Sequence, residues 1–308
     1  MVINTGQTLA ITGATGFVGG ATLSAALSVG YRARALTRRE QPARGGVTWI
    51  AGDLADRAAL ETLCDGADAV LHIAGATNAP TRAGFEAGNV DAVLHMIAAA
   101  KAQGVKRFVH VSSLAARRPQ LSVYGETKLA GERLVATSML DWTAVRPPAV
   151  YGPGDRDMLE LFRMAKRGIV LLPPKGRISA IHVDDLAALL VALLPRSERT
   201  TAEVYEADDG RDGGWSHRGF ARAVGAAVGR SIEIFSIPAP LMLLGGHVDR
   251  LIRRGAARLT PDRARYLAHP DWTIDPARRP PPDIWNPRIR TPDGLATTAR
   301  WYREQGWL

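Results

Sequence analysis

Cysteine is nearly absent from this chain of 308 residues, where Cys64 is the only one. A single thiol excludes an internal disulfide framework and a multi-cysteine zinc site. It suits a reducing compartment, and no metal site is expected. Long uncharged apolar runs are lacking too. None reaches the roughly 18–20 residues of a membrane-spanning helix. The longest candidate, between Glu233 and Asp249, is interrupted by Pro238, Pro240 and a Gly-Gly pair. The first residues carry no basic segment, apolar core and cleavage site, so no secretory leader is expected and a cytoplasmic location is. There is no internal repeat.

What is present is an ordinary globular composition, 46% apolar and 22% charged, long enough for a large core and a second lobe. The net charge of +9 is carried mostly by arginine, and residues 250–308 hold twelve arginines against six acids. Such a basic end fits nucleic acid, a membrane surface or an anionic ligand. No nucleic-acid motif accompanies the charge, so nucleic acid is not expected as a partner.

The first half alternates short apolar strands with helical stretches. Strands are expected at 7–12, 31–37, 47–50, 69–73, 107–111 and 142–146. Helices are expected at 17–29, 56–64 (with Asp56 able to cap), 85–103 (closed by Gly104) and 123–137. Continuously apolar strands alternating with helices predict a doubly wound α/β fold of Rossmann type, its parallel sheet covered on both faces. Residues 1–152 form the expected dinucleotide-binding domain, and 178–196 reads as a strand and helix returning to its sheet. Residues 153–177 and 197–308, rich in proline and loops, read as a smaller substrate-binding lobe.

A glycine-rich turn, Thr12-Gly13-Ala14-Thr15-Gly16-Phe17-Val18-Gly19, sits between the first strand and the first helix. Glycines at 13, 16 and 19 suit a tight turn, close approach of pyrophosphate and helix–strand packing. The helix N-terminus beside them offers amides to phosphate. An acid at the end of the second strand would favour NAD. This chain has Thr37-Arg38-Arg39 there, and guanidinium groups pair well with a 2′-phosphate. NADP(H) is therefore favoured, with Arg38 the first choice, while NAD(H) stays open and both arginines could be plain surface residues. Asp53 and Leu54 follow the third strand, where Asp53 could accept from adenine or simply form a turn. Ala74-Gly75 after the fourth strand keeps the backbone close to the cofactor. His72 reads as a packed core histidine.

Downstream lies Tyr124-Gly125-Glu126-Thr127-Lys128. Four residues apart on a helix, the phenol and the ammonium share a face. A free tyrosine has a pKa near 10, and a nearby ammonium should lower it into a useful range for proton transfer. Ser112 and Ser113 end the preceding strand as candidates to orient a carbonyl, and Ser122 is a third. With Asn89, Arg146-Pro147-Pro148-Ala149-Val150-Tyr151-Gly152-Pro153-Gly154 and Ile181-His182-Val183-Asp184-Asp185, the chain resembles the extended short-chain dehydrogenases/reductases of the epimerase/dehydratase type. The matching motifs cover about the first two thirds of the chain. The resemblance implies a Ser113–Tyr124–Lys128 triad and an Asn89 that supports the proton relay. It also implies that Pro147 lies beside the nicotinamide and that dimers pack through the Tyr–Lys helix and its neighbour. The segment between Ser113 and Tyr124 is shorter than in sugar-nucleotide members and lacks their polar insertion.

On the substrate side, Leu241, Leu244, Val248, Leu251 and Ile252 share one helical face, with His247, Arg250, Arg253 and Arg254 among the polar positions. This helix either rests in a lipid headgroup layer or packs over the site. Arg156, Arg177 and His182 flank the expected cleft as candidates for a phosphate or headgroup, or as structural pairs. The expected activity is NADPH-dependent reduction of a hydrophobic carbonyl substrate, such as a 3-oxo lipid, 3-oxo-ceramide or steroid-like compound, with peripheral membrane contact open. The alternatives are a nucleotide-sugar epimerase or dehydratase with tightly bound NAD, and a non-catalytic cofactor-binding assembly or sensor protein.

Overall fold

Successive residues of a strand point to opposite faces of a sheet, and here both faces are apolar. Leu9 and Ile11 point one way and Ala10 the other; Leu71 opposes Val70, and Val109 opposes Phe108. Such strands need cover on both sides, which the helices between them supply. The computed structural model describes residues 6–253 and 260–308, without the side chains of Arg250 and Arg253.

The main sheet has seven parallel strands: β1 (Thr8–Thr12), β2 (Arg32–Thr37), β3 (Val47–Ala51), β4 (Ala69–His72), β5 (Arg107–Val111), β6 (Asp141–Val145) and β11 (Glu203–Tyr205). Their order is β11-β6-β5-β4-β1-β2-β3. Helices α1 (Phe17–Ser28) and α7 (Val183–Ala192) pack together on one face, through Leu23, Ala26, Leu186 and Leu189. Helices α2 (Arg57–Cys64), α4 (Ala92–Ala102) and α5 (Val123–Ala136) cover the other, through Leu60, Leu63, Val93, Met96 and Val135. Asp56 caps α2 as expected, accepting from Ala59 N at 3.0 Å.

The smaller lobe holds α6 (Leu159–Arg167), α8 (His217–Val228) and α11 (Thr291–Glu304) around a second core of Phe162, Phe220, Val224, Leu295 and Tyr302. Short strands complete it: β7 (Ala149–Tyr151) pairs with β10 (Ala180–His182), and β8 (Ile169–Leu172) with β13 (Glu233–Ser236). In a third small sheet, β9 (Arg177–Ile178) lies between β12 (Trp215–Ser216) and β14 (Asp271–Trp272). Helices α9 (Ala239–Arg253) and α10 (Pro261–Ala268) pack on each other.

Two expectations need correction. The strand before α7 does not return to the main sheet. It pairs with β7 outside it, and only α7 packs on the main body. The seventh strand is instead Glu203–Tyr205, which lies in the range assigned to the second lobe. The helix expected at 85–103 starts earlier, at α3 (Arg82–Glu86) capped by Thr81. It passes through a π-helical turn, Ala87–Asp91, before α4. Such turns favour functional sites, and this one buries Asn89.

Candidate active site

The carboxyl ends of the parallel strands form the crevice where such sheets bind ligands, and the sequence motifs fall there one strand at a time. After β1, Gly13 has φ +75°, a left-handed conformation, and a Cβ on it would sit 2.8 Å from Ala74 N. A Cβ on Gly19 would overlap Gly13 O. These two positions let β1, α1 and the loop after β4 close together. Gly16 caps α1 with no side-chain bond to the first amides, and Thr15 beside it is exposed. Phe17 lies beside Gly154, and Val18 packs into the core. The turn is thus built to present free helix-terminal amides to a phosphate.

After β2 and β3, Arg38 and Arg39 border a cleft of about 550 Å³ with Thr37, Gly52 and Asp53. Thr37 Oγ1 shapes the turn, donating to Arg39 O at 2.6 Å. Neither guanidinium has an ion pair or hydrogen bond among the described residues, so both charges remain available to an anion. Asp53 Oδ1 accepts from Ala55 N (2.8 Å) and Asp56 N (3.2 Å), which makes it a turn former as well as a cleft residue. Leu54 packs into the core below.

After β4, Ala74 N donates to Thr12 Oγ1 at 3.2 Å. A Cβ on Gly75 would lie 2.9 Å from Asn89 Oδ1 and 3.4 Å from Lys128 Nζ, so the β4 loop, the π turn and α5 meet at one point. Asn89 is the clip. Its Oδ1 accepts from Ala76 N (2.8 Å), and its Nδ2 donates to Ala76 O (2.9 Å) and Thr127 Oγ1 (3.0 Å). His72 is core, as expected: fully buried, bonded through Nδ1 to Thr12 Oγ1 at 2.9 Å and stacked on His110. Burial, then the charge of Lys128, pushes its pKa down to about 3.

After β5, Ser112 and Ser113 are both buried. Ser113 is the one whose hydroxyl bears on the Tyr124 phenol, and its Oγ accepts from Ala115 N at 3.2 Å. Ser122 is occupied elsewhere, capping α5 by accepting from Gly125 N at 3.0 Å. Lys128 Nζ donates to Val111 O at 2.7 Å. Burial brings its pKa down to about 8, against an upward pull from Glu132 one turn on. The Tyr124 phenol differs from expectation. Burial raises its pKa, the Ser113 hydroxyl opposes the rise, and the charge of Asp157 adds to it. The lysine charge is not among the influences on it, and the ammonium donates to Val111 O. Pro147, after β6, is buried and its carbonyl accepts from Leu114 N at 2.9 Å, fixing the segment that carries Ser113.

The three substrate-side candidates do not join this cluster. Arg156 lies over the Trp307 ring, 4.7 Å from its centroid. Arg177 donates to Gly213 O (2.5 Å) and Gly214 O (3.3 Å). His182 is buried edge-on to Tyr151 and accepts from Asp184 N at 3.2 Å. All three are used within the lobe's own packing.

Other residues at the site were not singled out from sequence. Gly125 lets α5 approach Ala115 O, where a Cβ would come within 2.7 Å. Asp262 at the start of α10 accepts from Val123 N at 3.2 Å. Beneath α5, Arg146 pairs with Glu132 (2.5 Å) and Glu206 (3.3 Å), and Arg117 with Glu206 (3.2 Å). An arginine next to a Pro-Pro turn and an acid one turn after Lys128 were the only signals.

A family model described as the NAD dependent epimerase/dehydratase family matches residues 9–207. The ceramide reductase of Caulobacter vibrioides is 37% identical over 313 residues, covering 97% of this chain and 96% of that protein. The 2-alkyl-3-oxoalkanoate reductase of Stenotrophomonas maltophilia is 28% identical, covering 87% of this chain and 92% of its own. Among solved structures, MoeE5 in complex with UDP-glucose and NAD matches with a TM-score of 0.77 at 24% identity, over 97% of this chain and 99% of that one; this likeness bears on the fold. The chain therefore belongs to the NAD-dependent epimerase/dehydratase family and is an NAD(P)-dependent enzyme of the extended short-chain dehydrogenase/reductase kind.

Proposed function

We propose that this enzyme uses NADPH to reduce the carbonyl of a hydrophobic substrate, with a 3-oxo lipid such as 3-oxo-ceramide as the first candidate class and a steroid-like compound as the next. The observation that carries the reading is the convergence of Asn89, Lys128 and the Gly75 backbone, with Ser113 bearing on Tyr124, at the carboxyl edge of the sheet that also carries the glycine turn. The names of the two reductase relatives, one acting on ceramide and one on 2-alkyl-3-oxoalkanoate, support the lipid class.

The residues fit the cofactor. Gly13, Gly16 and Gly19 leave a cradle open to a pyrophosphate, with Thr15, Phe17 and Val18 around it. Arg38 and Arg39 offer unpaired charge for a 2′-phosphate, and Asp53, Leu54, Ala74, Gly75 and Pro147 would border the remainder. NADPH, when bound, supplies the hydride to the carbonyl carbon. Ser113 donates a hydrogen bond to the carbonyl oxygen and orients it. Tyr124, a phenol protonated at neutral pH, delivers the phenolic proton to the same oxygen. Lys128 would hold the ribose and place a positive charge near the oxygen as negative charge develops. Asn89 keeps the β4 loop and α5 in register and acts as a positioning residue.

The test follows NADPH consumption with a panel of 3-oxo lipids, with NADH and Tyr124→Phe as controls. Turnover with NADPH that the substitution abolishes supports the reading. Absence of turnover, with NAD retained through purification, would replace it by sugar-nucleotide chemistry.

A further inference from the structure

The apolar stripe of α9 does not cover the active site; it faces solvent. Leu241, Leu244, Val248, Leu251 and Ile252 recur along one side of the helix, with Leu251 80% and Ile252 73% exposed. The packed side of α9 is the opposite one. Met242 is buried there, and a Cβ on Gly246 would come within 3.0 Å of Pro261 N at the start of α10. An amphipathic helix in a globular protein normally turns its apolar side inward. This one turns it out.

A second apolar surface precedes α9 in the chain. In the β8–β13 pair, Phe235 lies opposite Leu171. Phe235, Leu171 and Ile169 point outward and are exposed, while Val170 and Leu172 point into the lobe's core. Exposed apolar surface of this kind marks an interaction site.

The surrounding charge selects the partner. Residues 166–177, which contain β8, carry four basic residues and no acid. Residues 230–254, which contain β13 and α9, carry four arginines and two acids. Of these, Arg254 lies outside the described residues, and the side chains of Arg250 and Arg253 are not described. Two copies of a chain of net charge +9 meeting through such a face would repel each other. An anionic bilayer attracts it, and its acyl boundary accepts the leucines. No helix among the described residues is long and apolar enough to cross a membrane.

We propose that α9, together with the outward face of β8 and β13, is a docking surface that seats the C-terminal lobe in the headgroup layer of an anionic lipid bilayer. The position is apt, because the partner of α9 is α10, which carries Asp262 against the start of α5, the helix of Tyr124 and Lys128. A docked α9 therefore sets the lobe's inner wall next to the bilayer. The inference rests on surface chemistry and holds whatever the substrate proves to be.

The full chain is floated with vesicles of phosphatidylcholine alone or mixed with phosphatidylglycerol, at two salt concentrations. The protein is expected to float with phosphatidylglycerol vesicles, less with phosphatidylcholine alone, and less at high salt. The double substitution Leu251→Glu/Ile252→Glu, at exposed positions where the fold is insensitive, is expected to reduce flotation at least tenfold with an unchanged thermal unfolding profile. Failure of the unaltered protein to float with phosphatidylglycerol vesicles overturns the proposal, as does equal flotation by the double variant. Self-association in sedimentation velocity that the double variant abolishes, without vesicle binding, would assign the face to a second copy instead.

Discussion

Lys128 Nζ donates to Val111 O at 2.7 Å, which fastens the ammonium of α5 to the last residue of β5, two positions before Ser113. The bond fixes strand end, serine and catalytic helix in one geometry, at the expense of desolvating a charge. Its pKa, down from 10.5 to about 8, reports that expense.

A lysine with a depressed folded-state pKa binds its proton more weakly in the folded protein than in the unfolded one. Its ionisation therefore destabilises the fold, progressively as pH falls from about 10.5 and fully below about 8. The penalty is on the order of 3 kcal/mol. In Lys128→Met, loss of the Val111 bond takes back about 1 kcal/mol, so a net gain of about 1–2 kcal/mol is expected at pH 7. Turnover is expected to fall at least a hundredfold. Denaturant unfolding at pH 7 and initial rates check both; a destabilised Lys128→Met would show that the charge is better solvated than its burial indicates.

Ser113 and Ser122 should separate cleanly. Ser122 caps α5, so Ser122→Ala is expected to destabilise by about 1 kcal/mol and leave turnover within a few-fold. Ser113→Ala removes the donor to the carbonyl and the acceptor for Ala115 N, so turnover is expected to drop at least tenfold, with a stability loss of about 1 kcal/mol or less. Rates and unfolding midpoints measured side by side decide the assignment.

Much of this was legible in local spacing. The glycine turn and the Tyr–Lys pair are short-range patterns set by backbone geometry; the first lies between β1 and α1 and the second on α5, each on the element expected for it. What escaped depends on tertiary partners. Glu203–Tyr205 is too short to display a pattern, and only its pairing with β6 makes it a sheet strand. The π turn at Asn89 shifts the helix register without changing composition. Periodicity showed that α9 has an apolar face but not which side it turns to α10. Arg156, Arg177 and His182 had the right chemistry for a ligand, yet each found a nearer partner in Trp307, the 213–214 loop or the α7 amides.

The buried Arg146–Glu132 pair has a kinetic signature of its own. Glu132→Gln leaves Arg146 with Glu206 alone, so a loss of about 2–4 kcal/mol is expected. Glu132 also pulls the Lys128 pKa upward. Without that carboxylate the lysine should lose its proton at lower pH. The alkaline fall in carbonyl reduction, expected to begin near pH 8 in the unaltered enzyme, is therefore expected to move to lower pH. A pH–rate profile that does not move, in a protein that is destabilised, would confine Glu132 to a structural role.

Cofactor choice should hinge on Arg38. It directly follows the second strand, where an acid would accept the ribose hydroxyl of NAD and repel a 2′-phosphate. Its guanidinium is exposed at the cleft with no partner among the described residues, so it gives up no intramolecular bond when it meets an anion. A charge-assisted hydrogen bond to phosphate contributes about 1.5–3 kcal/mol. Arg38→Ala is thus expected to weaken NADPH binding by roughly ten- to a hundredfold, with NADH changed less than threefold and stability unchanged. Arg39 can supply part of the same charge, so Arg38→Ala/Arg39→Ala should carry the loss further. Titration of protein fluorescence with each nucleotide measures the split. Equal weakening for NADPH and NADH would mean that the arginines shape the adenosine cleft without reading the 2′-phosphate.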